Sequence, residues 1–365
     1  MGKQEDTIRH LEAENRKLFE ELKRKKDKLY TAMNELKEKN AELQERSRDI
    51  SDSVNYAKRI QLAIMPPRYE VNNILEDSFI MYLPKDVVSG DFYFVKKINN
   101  EVVFSVVDCT GHGVPGALMS VVGFNCLDQA VTKDKMTRPC DILSALDEGV
   151  NATLRQTADE SGVRDGMDLA LCAYNSTSKV LQYSGAYNPV YIVSASRNLM
   201  VAREREIDDM HPRILTSRKD NNNMSELEIL GDASNEASDR GAWLGGHEDV
   251  EYDAVMSTKN NNLFEIKADK LPIGVNVDGV VDIYTNNTVQ LSTGDAVYLF
   301  SDGYTDQFGG PENRKFKHHR LKELLLSIQD KSMIEQKRIL VKTFSQWKGN
   351  EDQIDDVLVM GIRVA

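Results

Sequence analysis

The sequence predicts an α+β fold, a layered sandwich of sheets and helices preceded by a long N-terminal coiled-coil helix. Three observations predict it. Apolar residues recur every seven positions as far as residue 64; from residue 78 the pattern changes to short apolar and β-branched runs; and those runs come in hairpin-like succession, with the helices clustered rather than alternating strand by strand.

The rod comes first. With Ile8 as position a of a heptad, the later a positions are Asn15, Leu22, Leu29, Leu36, Leu43, Ile50, Ala57 and Ile64, an unbroken period across 57 residues. A repeat of seven rather than 3.6 favours a seam between chains over a long helix folded back on its own domain or two helices broken near the polar d positions. Position d is apolar at Leu11 and Leu18, then becomes Lys25, Ala32, Lys39, Arg46 and Ser53, while Phe19, Met33 and Val54 fall at e, so the seam is good early and poor later. Asn15 at an a position costs stability but selects two strands in register, which points to a parallel homodimer. At about 1.5 Å per residue the rod is roughly 85 Å long. Pro66-Pro67 ends it and divides the chain into a coiled-coil and linker helix, 1–67, and a globular domain, 68–365.

Within the domain, FIMYL (79–83), FYFVKKI (92–98) and VVFSVVDC (102–109) read as strands. Two helices follow, Pro115 to about Thr132 and Pro139 to about Gln156, each with proline near its first turn. Strands resume at MDLALCAY (167–174), VLQYSGA (180–186) and VYIVS (190–194). Residues 195–262 turn polar and lose their pattern, with Asn221–Asn223 and Asn260–Asn262, and are expected to form an insertion in a mobile loop. Beyond it come LFEI (263–266), AVYLFSD (296–302), helices near 319–329 and 332–347, and a closing strand DDVLVMGIRV.

Composition narrows the function. Forty-six basic against 58 acidic residues leave a net charge of -12, and the excess is concentrated: residues 1–68 hold 16 basic and 13 acidic residues, so the remainder carries -15. Nucleic acid is repelled by such a body, which argues against a two-metal nuclease. No run approaches the roughly 18 apolar residues of a membrane span, no signal-peptide core opens the chain, and Asp6 stands where a myristoylation signal needs Ser or Thr. Cys109, Cys126, Cys140 and Cys172 lack zinc or C-x-x-C spacing and sit in apolar runs, as expected of a protein of the reducing cytoplasm, and none opens the C-x5-R loop of thiolate phosphatases.

The chemistry lies in a repeated local event, aspartate at the end of an apolar strand. Asp91 follows Ser89-Gly90 just before a strand, Asp108 closes VVFSVV, Asp302 closes VYLFS before Gly303, and Asp355 and Asp356 open the last strand. Asp is a poor strand former, and several at strand ends repel one another unless a cation or proton intervenes. Any single one reads as a turn or cap residue; four with the same placement point to a site. With carboxylates and backbone carbonyls as donors and no His or Cys at suitable spacing, the ion is a hard one, Mn²⁺ or Mg²⁺. Two such ions lower the pKa of a bridging water and clamp a phosphoryl oxygen, which suits in-line hydrolysis.

At LPKDVVSGDFY (83–93), DCTGHGVPGALMS (108–120), DGMDLAL (165–171), KLPIG (270–274), LFSDGYTDQFGG (299–310) and DDVLVMGI (355–362) the sequence resembles the SpoIIE-type branch of the PPM metal-dependent serine/threonine protein phosphatases. The resemblance spans about residues 54–365 outside the insertion. It implies an α/β/β/α sandwich, two Mn²⁺ or Mg²⁺ ions in a cleft between the sheets, and removal of phosphate from phosphoserine or phosphothreonine, often on a STAS-domain regulator in bacterial partner switching. Residue by residue it implies that Asp91, Asp108, Asp302 and Asp355 form the catalytic metal set, with the backbone carbonyl of Cys109 as a further donor and Asp356 as the alternative to Asp355. Asp165 and Asp168 in DGMD either approach a third ion or shape a turn. Two departures stand out. Thr110 occupies the place of a histidine assigned as general acid in better-known PPM enzymes, His112 being displaced by two and flanked by glycines; and no arginine matches the family's phosphate binder, leaving Lys85, six residues before Asp91, as a point charge for phosphate or a solvated lysine. The segment 48–67 resembles the helical linker that joins a sensor domain to such phosphatases. The chain is then either a stand-alone enzyme or the C-terminal portion of a longer one, with activity controlled through the coil. The competing reading is a catalytically silent dimeric scaffold that binds a phosphoprotein.

Overall fold

The computed structural model describes residues 2–155, 165–194, 198–204, 250–256, 262–275 and 283–365. They fall into two compact units, Met1–Ile60 and Gln61–Ala365. Helix α1 runs Gly2–Ile64 without interruption. Within the first unit the heptad residues Leu11, Leu18, Leu22, Leu29, Leu36, Leu43 and Ile50 are all exposed, an apolar stripe with nothing from its own unit upon it.

In the second unit α1 ends and a short α2 (Arg68–Ile74) follows Pro66-Pro67. Then come β1 (Ser78–Leu83), β2 (Phe92–Ile98), β3 (Glu101–Cys109), α3 (Gly113–Asp128) extended by a π turn at Gln129–Lys133, α4 (Pro139–Leu154), β4 (Met167–Asn175), β5 (Val180–Ala186) and β6 (Val190–Val193). After β7 (Asn198–Glu204), β8 (Val250–Met256), β9 (Leu263–Ile266), β10 (Asn286–Gln290) and β11 (Ala296–Phe300) the chain makes a turn of helix, α5 (Gly303–Asp306), and a two-residue hairpin, β12 (Phe308–Gly309) and β13 (Arg314–Lys315). It finishes with α6 (His318–Ser327), α7 (Met333–Lys348) and β14 (Val357–Arg363).

Two antiparallel sheets result, ordered β1-β14-β11-β6-β9 and β2-β3-β4-β5-β10-β7-β8. The first is buried on both faces. Along β14, Leu358, Met360 and Ile362 join the core shared with the second sheet, while Val357 and Val359 join Leu321, Leu325, Leu340 and Phe344 of α6 and α7. The second sheet packs against α3 and α4 through Met119, Leu127, Ile142, Leu143 and Leu146. Burial on both faces is why VVFSVV and VLVMGI carry unbroken apolar runs rather than alternation, and the layers are helix, sheet, sheet, helix, as the α+β reading expects.

Within the stretch 195–262, expected from its composition to be an insertion in a mobile loop, two segments are strands. Its ends form β7 and β8, paired from Asn198↔Met256 to Glu204↔Val250 at the edge of the larger sheet; residues 195–197, 205–249 and 257–261 of it lie outside the described residues. β10 (NNTVQ) also escapes a compositional reading because Asn disfavours strands. It is held as one by ladders to both β5 and β7 and by its amides, Asn286 Nδ2 donating to Gln182 Oε1 at 3.0 Å and Asn287 Nδ2 to the Tyr183 carbonyl at 3.2 Å. Among the described residues no helix is long and apolar enough to cross a membrane, and none of the four cysteines is in a disulfide.

Candidate active site

Antiparallel pairing places strand ends side by side. Asp91 precedes β2, Asp108 is the penultimate residue of β3, and Asp168 lies directly opposite Asp108 at the start of β4. In the other sheet Asp302 follows β11, and Asp355 and Asp356 precede β14, its antiparallel neighbour. The two groups meet where β3 packs across from β11 and β14, and the Asp302 amide donates to Asp108 Oδ2 at 3.4 Å.

The carboxylates disturb one another. Asp91 is 2 % exposed, and burial, then the charge of Asp108, pushes its pKa well up, although the Ser301 hydroxyl donates to its Oδ2 at 2.6 Å. Asp108 is pushed up by burial and then by Asp302 and Asp355. Asp302 rises to about 6 through burial and the charge of Asp355, and Asp168 to about 6 through burial and Asp302. Lys315 is the cation that acts on Asp302, and it is committed to Asp306 at 2.6 Å.

Asp355 and Asp356 separate cleanly. Asp356 is buried, and its two oxygens accept the backbone N–H of Lys85 and of Gly90, each at 2.7 Å. The charge of Asp355 bears on Asp108 and Asp302, and its Oδ1 accepts the Asp356 amide at 2.8 Å. The Cys109 carbonyl faces the Gly90 backbone, 3.2 Å from where a Cβ on that glycine would stand. Lys85 is half-buried, and its ammonium donates to His112 Nε2 at 2.9 Å while His112 Nδ1 donates to Asp86 Oδ2 at 2.6 Å. Thr110 clasps the start of β4: its hydroxyl donates to the Gly166 carbonyl at 3.0 Å and accepts the Gly166 amide at 3.1 Å.

Three supporting residues have no signal in the sequence beyond their proximity to the motifs. Ser301, between β11 and Asp302, binds Asp91 and accepts the Leu358 amide at 3.0 Å. Ser89 accepts the Asp91 amide on its hydroxyl at 3.1 Å. Asp86 orients His112.

The donor set fits a hard divalent cation. All its atoms are carboxylate or carbonyl oxygens, several carboxylates have pKa values raised by burial and by one another's charge, and one side of the cluster is open, with Asp302 exposed. Among the described residues no three His, Cys, Asp or Glu side chains converge around a single point. A spread set of that kind suits Mg²⁺-like ions, which keep several waters and take one or two carboxylates each.

A pH dependence follows. A carboxyl whose pKa is raised on folding above its ordinary 3.8 favours the folded state while protonated; that contribution is complete below the unfolded value and is lost as pH rises through the folded one. With Asp168 and Asp302 at about 6, the metal-free protein loses stability between about pH 4 and pH 6 to 7. Thermal denaturation in chelator is expected to show this fall, Asp302→Asn to flatten it, and Mn²⁺ at pH 7 to reverse it. A flat profile in chelator is the contrary result.

The chain matches the family described as stage II sporulation protein E (SpoIIE) over residues 99–209 and 242–365. The gap between the two segments falls inside the polar stretch 195–262. Among solved structures it is similar to the SiaA-PP2C domain of Pseudomonas aeruginosa, at 25% identity and a TM-score of 0.62 over 87% of this chain and 98% of that one. It is also similar to the PP2C phosphatase domain, with a fragment of the regulatory domain, of SpoIIE from Bacillus subtilis, at 13% identity and a TM-score of 0.48 over 79% and 63%. Similarity to the RsbU and RsbW domains of Rv1364c from Mycobacterium tuberculosis is at 16% identity and a TM-score of 0.48 over 78% and 59%. No curated protein matches the chain. From the matched family, the four-layer sandwich and the carboxylates at its strand ends, the chain belongs to the SpoIIE family of PPM-type protein phosphatases.

Proposed function

We propose that the chain hydrolyses phosphoserine or phosphothreonine on a regulatory protein, of the STAS type, in bacterial partner-switching signalling in the cytoplasm. One observation carries the reading: four carboxylates at four strand ends bear on one another electrostatically while Lys315, the cation that acts on Asp302, is committed to Asp306, an arrangement whose repulsion divalent cations relieve. Asp91, Asp108, Asp302 and Asp355 are the residues to hold Mn²⁺ or Mg²⁺, with the Cys109 carbonyl beside them and Asp168 toward a third ion. Asp356, with both oxygens engaged by backbone amides, positions the Lys85–Gly90 turn instead. When bound, a pair of such ions supplies an activated water and neutralises phosphoryl charge.

The chain's own residues do the rest. The Lys85 ammonium, anchored by one of its three N–H groups on His112 Nε2, keeps two donors for phosphoryl oxygens. Asp86, by taking the His112 Nδ1 proton, fixes the tautomer that leaves Nε2 as the acceptor for Lys85.

The test is release of phosphate from a phosphoserine peptide with Mn²⁺ and with chelator. Metal-dependent hydrolysis is expected; a protein that binds the phosphopeptide and releases nothing in either condition is the scaffold instead.

The exposed heptad stripe supports a parallel homodimer, with the coil setting the activity of the phosphatase domain. Leu29→Pro with Leu36→Pro is expected to give a monomer by light scattering and an altered turnover. A monomer with unchanged turnover rejects control by the coil.

A further inference from the structure

The turn that carries Asp91 has no strand ladder of its own. Ser89, Gly90 and Asp91 are all buried, and each backbone N–H goes to a side chain: Gly90 to Asp356 Oδ2, Asp91 to Ser89 Oγ, and Ser89 to Gln61 Oε1 at 3.2 Å. The last of these comes from the final turn of α1. Gln61 is 3 % exposed, and its Nε2 donates to the Ser89 carbonyl at 2.5 Å and to Ser120 Oγ at 2.8 Å. One amide therefore satisfies both backbone groups of Ser89, as a neighbouring strand would, and also reaches α3, the helix that follows the Asp108–Gly113 loop. The Ser120 hydroxyl spends its own proton on the Ala117 carbonyl at 2.8 Å, so a donor is what it requires from Gln61.

This pattern of one acceptor and two donors is matched only by a primary amide. Asn is a methylene shorter. Glu lacks both donors and brings a charge into a site 3 % exposed. Met keeps the length and bonds nothing, leaving the buried N–H and C=O of Ser89 without partners.

We propose that Gln61 is a positioning residue for the phosphatase site, setting the place of Asp91 relative to the Asp108 loop by holding Ser89 and Ser120 at once. The metal half of this proposal rests on Asp91 and Asp108 as ion ligands; the structural half does not. Gln61 touches no reacting group, so its effect is expected in metal affinity more than in turnover at saturating metal.

The experiment compares wild type, Gln61→Met and Ser120→Ala by amide hydrogen exchange in chelator, by calorimetric titration with Mn²⁺ alone, and by kcat at limiting and saturating Mn²⁺. In Gln61→Met the amides of Ser89–Asp91 are expected to exchange at least about tenfold faster, as loss of a buried hydrogen bond implies, while amides in β3 and β14 keep their protection. Mn²⁺ affinity is expected to fall by about tenfold or more, the size of effect seen when residues supporting metal ligands are removed, with kcat largely recovered at high Mn²⁺. Ser120→Ala, which removes the bond from Gln61 and the hydroxyl's own bond to the Ala117 carbonyl but leaves Ser89 paired, is expected to lower Mn²⁺ affinity by a smaller factor with wild-type exchange at Ser89. It carries the test if Gln61→Met does not fold. Wild-type exchange and wild-type Mn²⁺ affinity in Gln61→Met would overturn the proposal; so would unchanged Mn²⁺ affinity in Ser120→Ala where that variant alone is folded. Failure of wild type itself to bind Mn²⁺ overturns the metal reading of the site and with it the metal half of the proposal, and exchange at Ser89 then decides whether Gln61 holds the turn.

Discussion

Asp108→Asn and Asp302→Asn are each expected to lower kcat/KM for phosphoserine-peptide hydrolysis by about a thousandfold while leaving the protein folded. Both substitutions keep the shape of the side chain and remove a charge. Asp108 lies opposite Asp168 and accepts the Asp302 amide, and Asp302, at the open side of the cluster, stands among Asp355, Asp168 and Asp306, so each bears on several other carboxylates. A bound divalent cation contributes several kcal/mol of charge stabilisation in the transition state, and about 4 kcal/mol corresponds to a factor of a thousand in rate. The same substitutions relieve repulsion, so in chelator at pH 7 both variants are expected to melt higher than wild type. Activity and stability therefore move in opposite directions, which separates loss of a ligand from general damage. Phosphate release at saturating Mn²⁺ and thermal denaturation in chelator check the two halves; near-wild-type activity in both variants removes these aspartates from the site.

The carboxylates themselves are legible in the sequence because a strand-ending aspartate after five or six apolar residues conflicts with local propensity, and such conflicts collect at functional sites. Asp108 and Asp302 carry that signature, whereas Asp91 and Asp355 stand just before strands. What the chain does not spell out is the set of contacts that close over long separations. Asp356 is as acidic as Asp355 and adjacent to it. Its two oxygens are engaged by the backbone of Lys85 and Gly90, 271 and 266 residues earlier. Ser301 reaches Asp91 across 210 residues, and Gln61 reaches Ser89 across 28 from a helix whose pattern reads only as a coil. The heptad puts Gln61 at position e, beside the seam, and periodicity says nothing of a polar residue buried against a neighbouring loop.

The sheets follow the same division. Runs such as VVFSVVDC and VLVMGIR announce strands because both their faces are buried, and the structure forms them within a residue or two of where they are expected. β7 and β10 are strands by virtue of their neighbours. Val201 is buried and Met200 exposed in the proper alternation, but the flanking polar sequence masks a strand of seven residues. The two asparagines that open β10 are tolerated because its partner strands supply acceptors for their side chains.

Gly90→Ala is expected to reduce turnover by about a hundredfold with the fold preserved, because this glycine is where the Asp91 turn and the Asp108 loop touch. A Cβ there meets the Gly111 carbonyl oxygen at 2.4 Å and the Cys109 carbonyl oxygen at 3.2 Å, and both are backbone atoms. The Asp108 loop has little room to withdraw. Gly111 and Gly113 hold positive φ angles of 81° and 66°, and a Cβ at Gly116 would stand 2.2 Å from the Gly111 oxygen and 2.9 Å from the Gly90 Cα, so α3 already presses on the loop from behind. The turn cannot retreat either, since the Gly90 amide is held by Asp356 and the Ser89 backbone by Gln61. The methyl group must then part Asp91 from Asp108, and a displacement of about 1 Å in a catalytic arrangement costs on the order of a hundredfold in rate. Gly294→Ala is the control: its Cβ meets nothing, its φ of 92° imposes a backbone penalty that Gly90 does not carry, and it lies in the turn before β11, away from the carboxylates. Loss of activity in Gly90→Ala with a raised Mn²⁺ requirement, beside wild-type kinetics in Gly294→Ala, assigns the effect to the meeting of the two loops. Equal kinetics in both variants means that the ligand-bearing segments are not held apart or together by this contact.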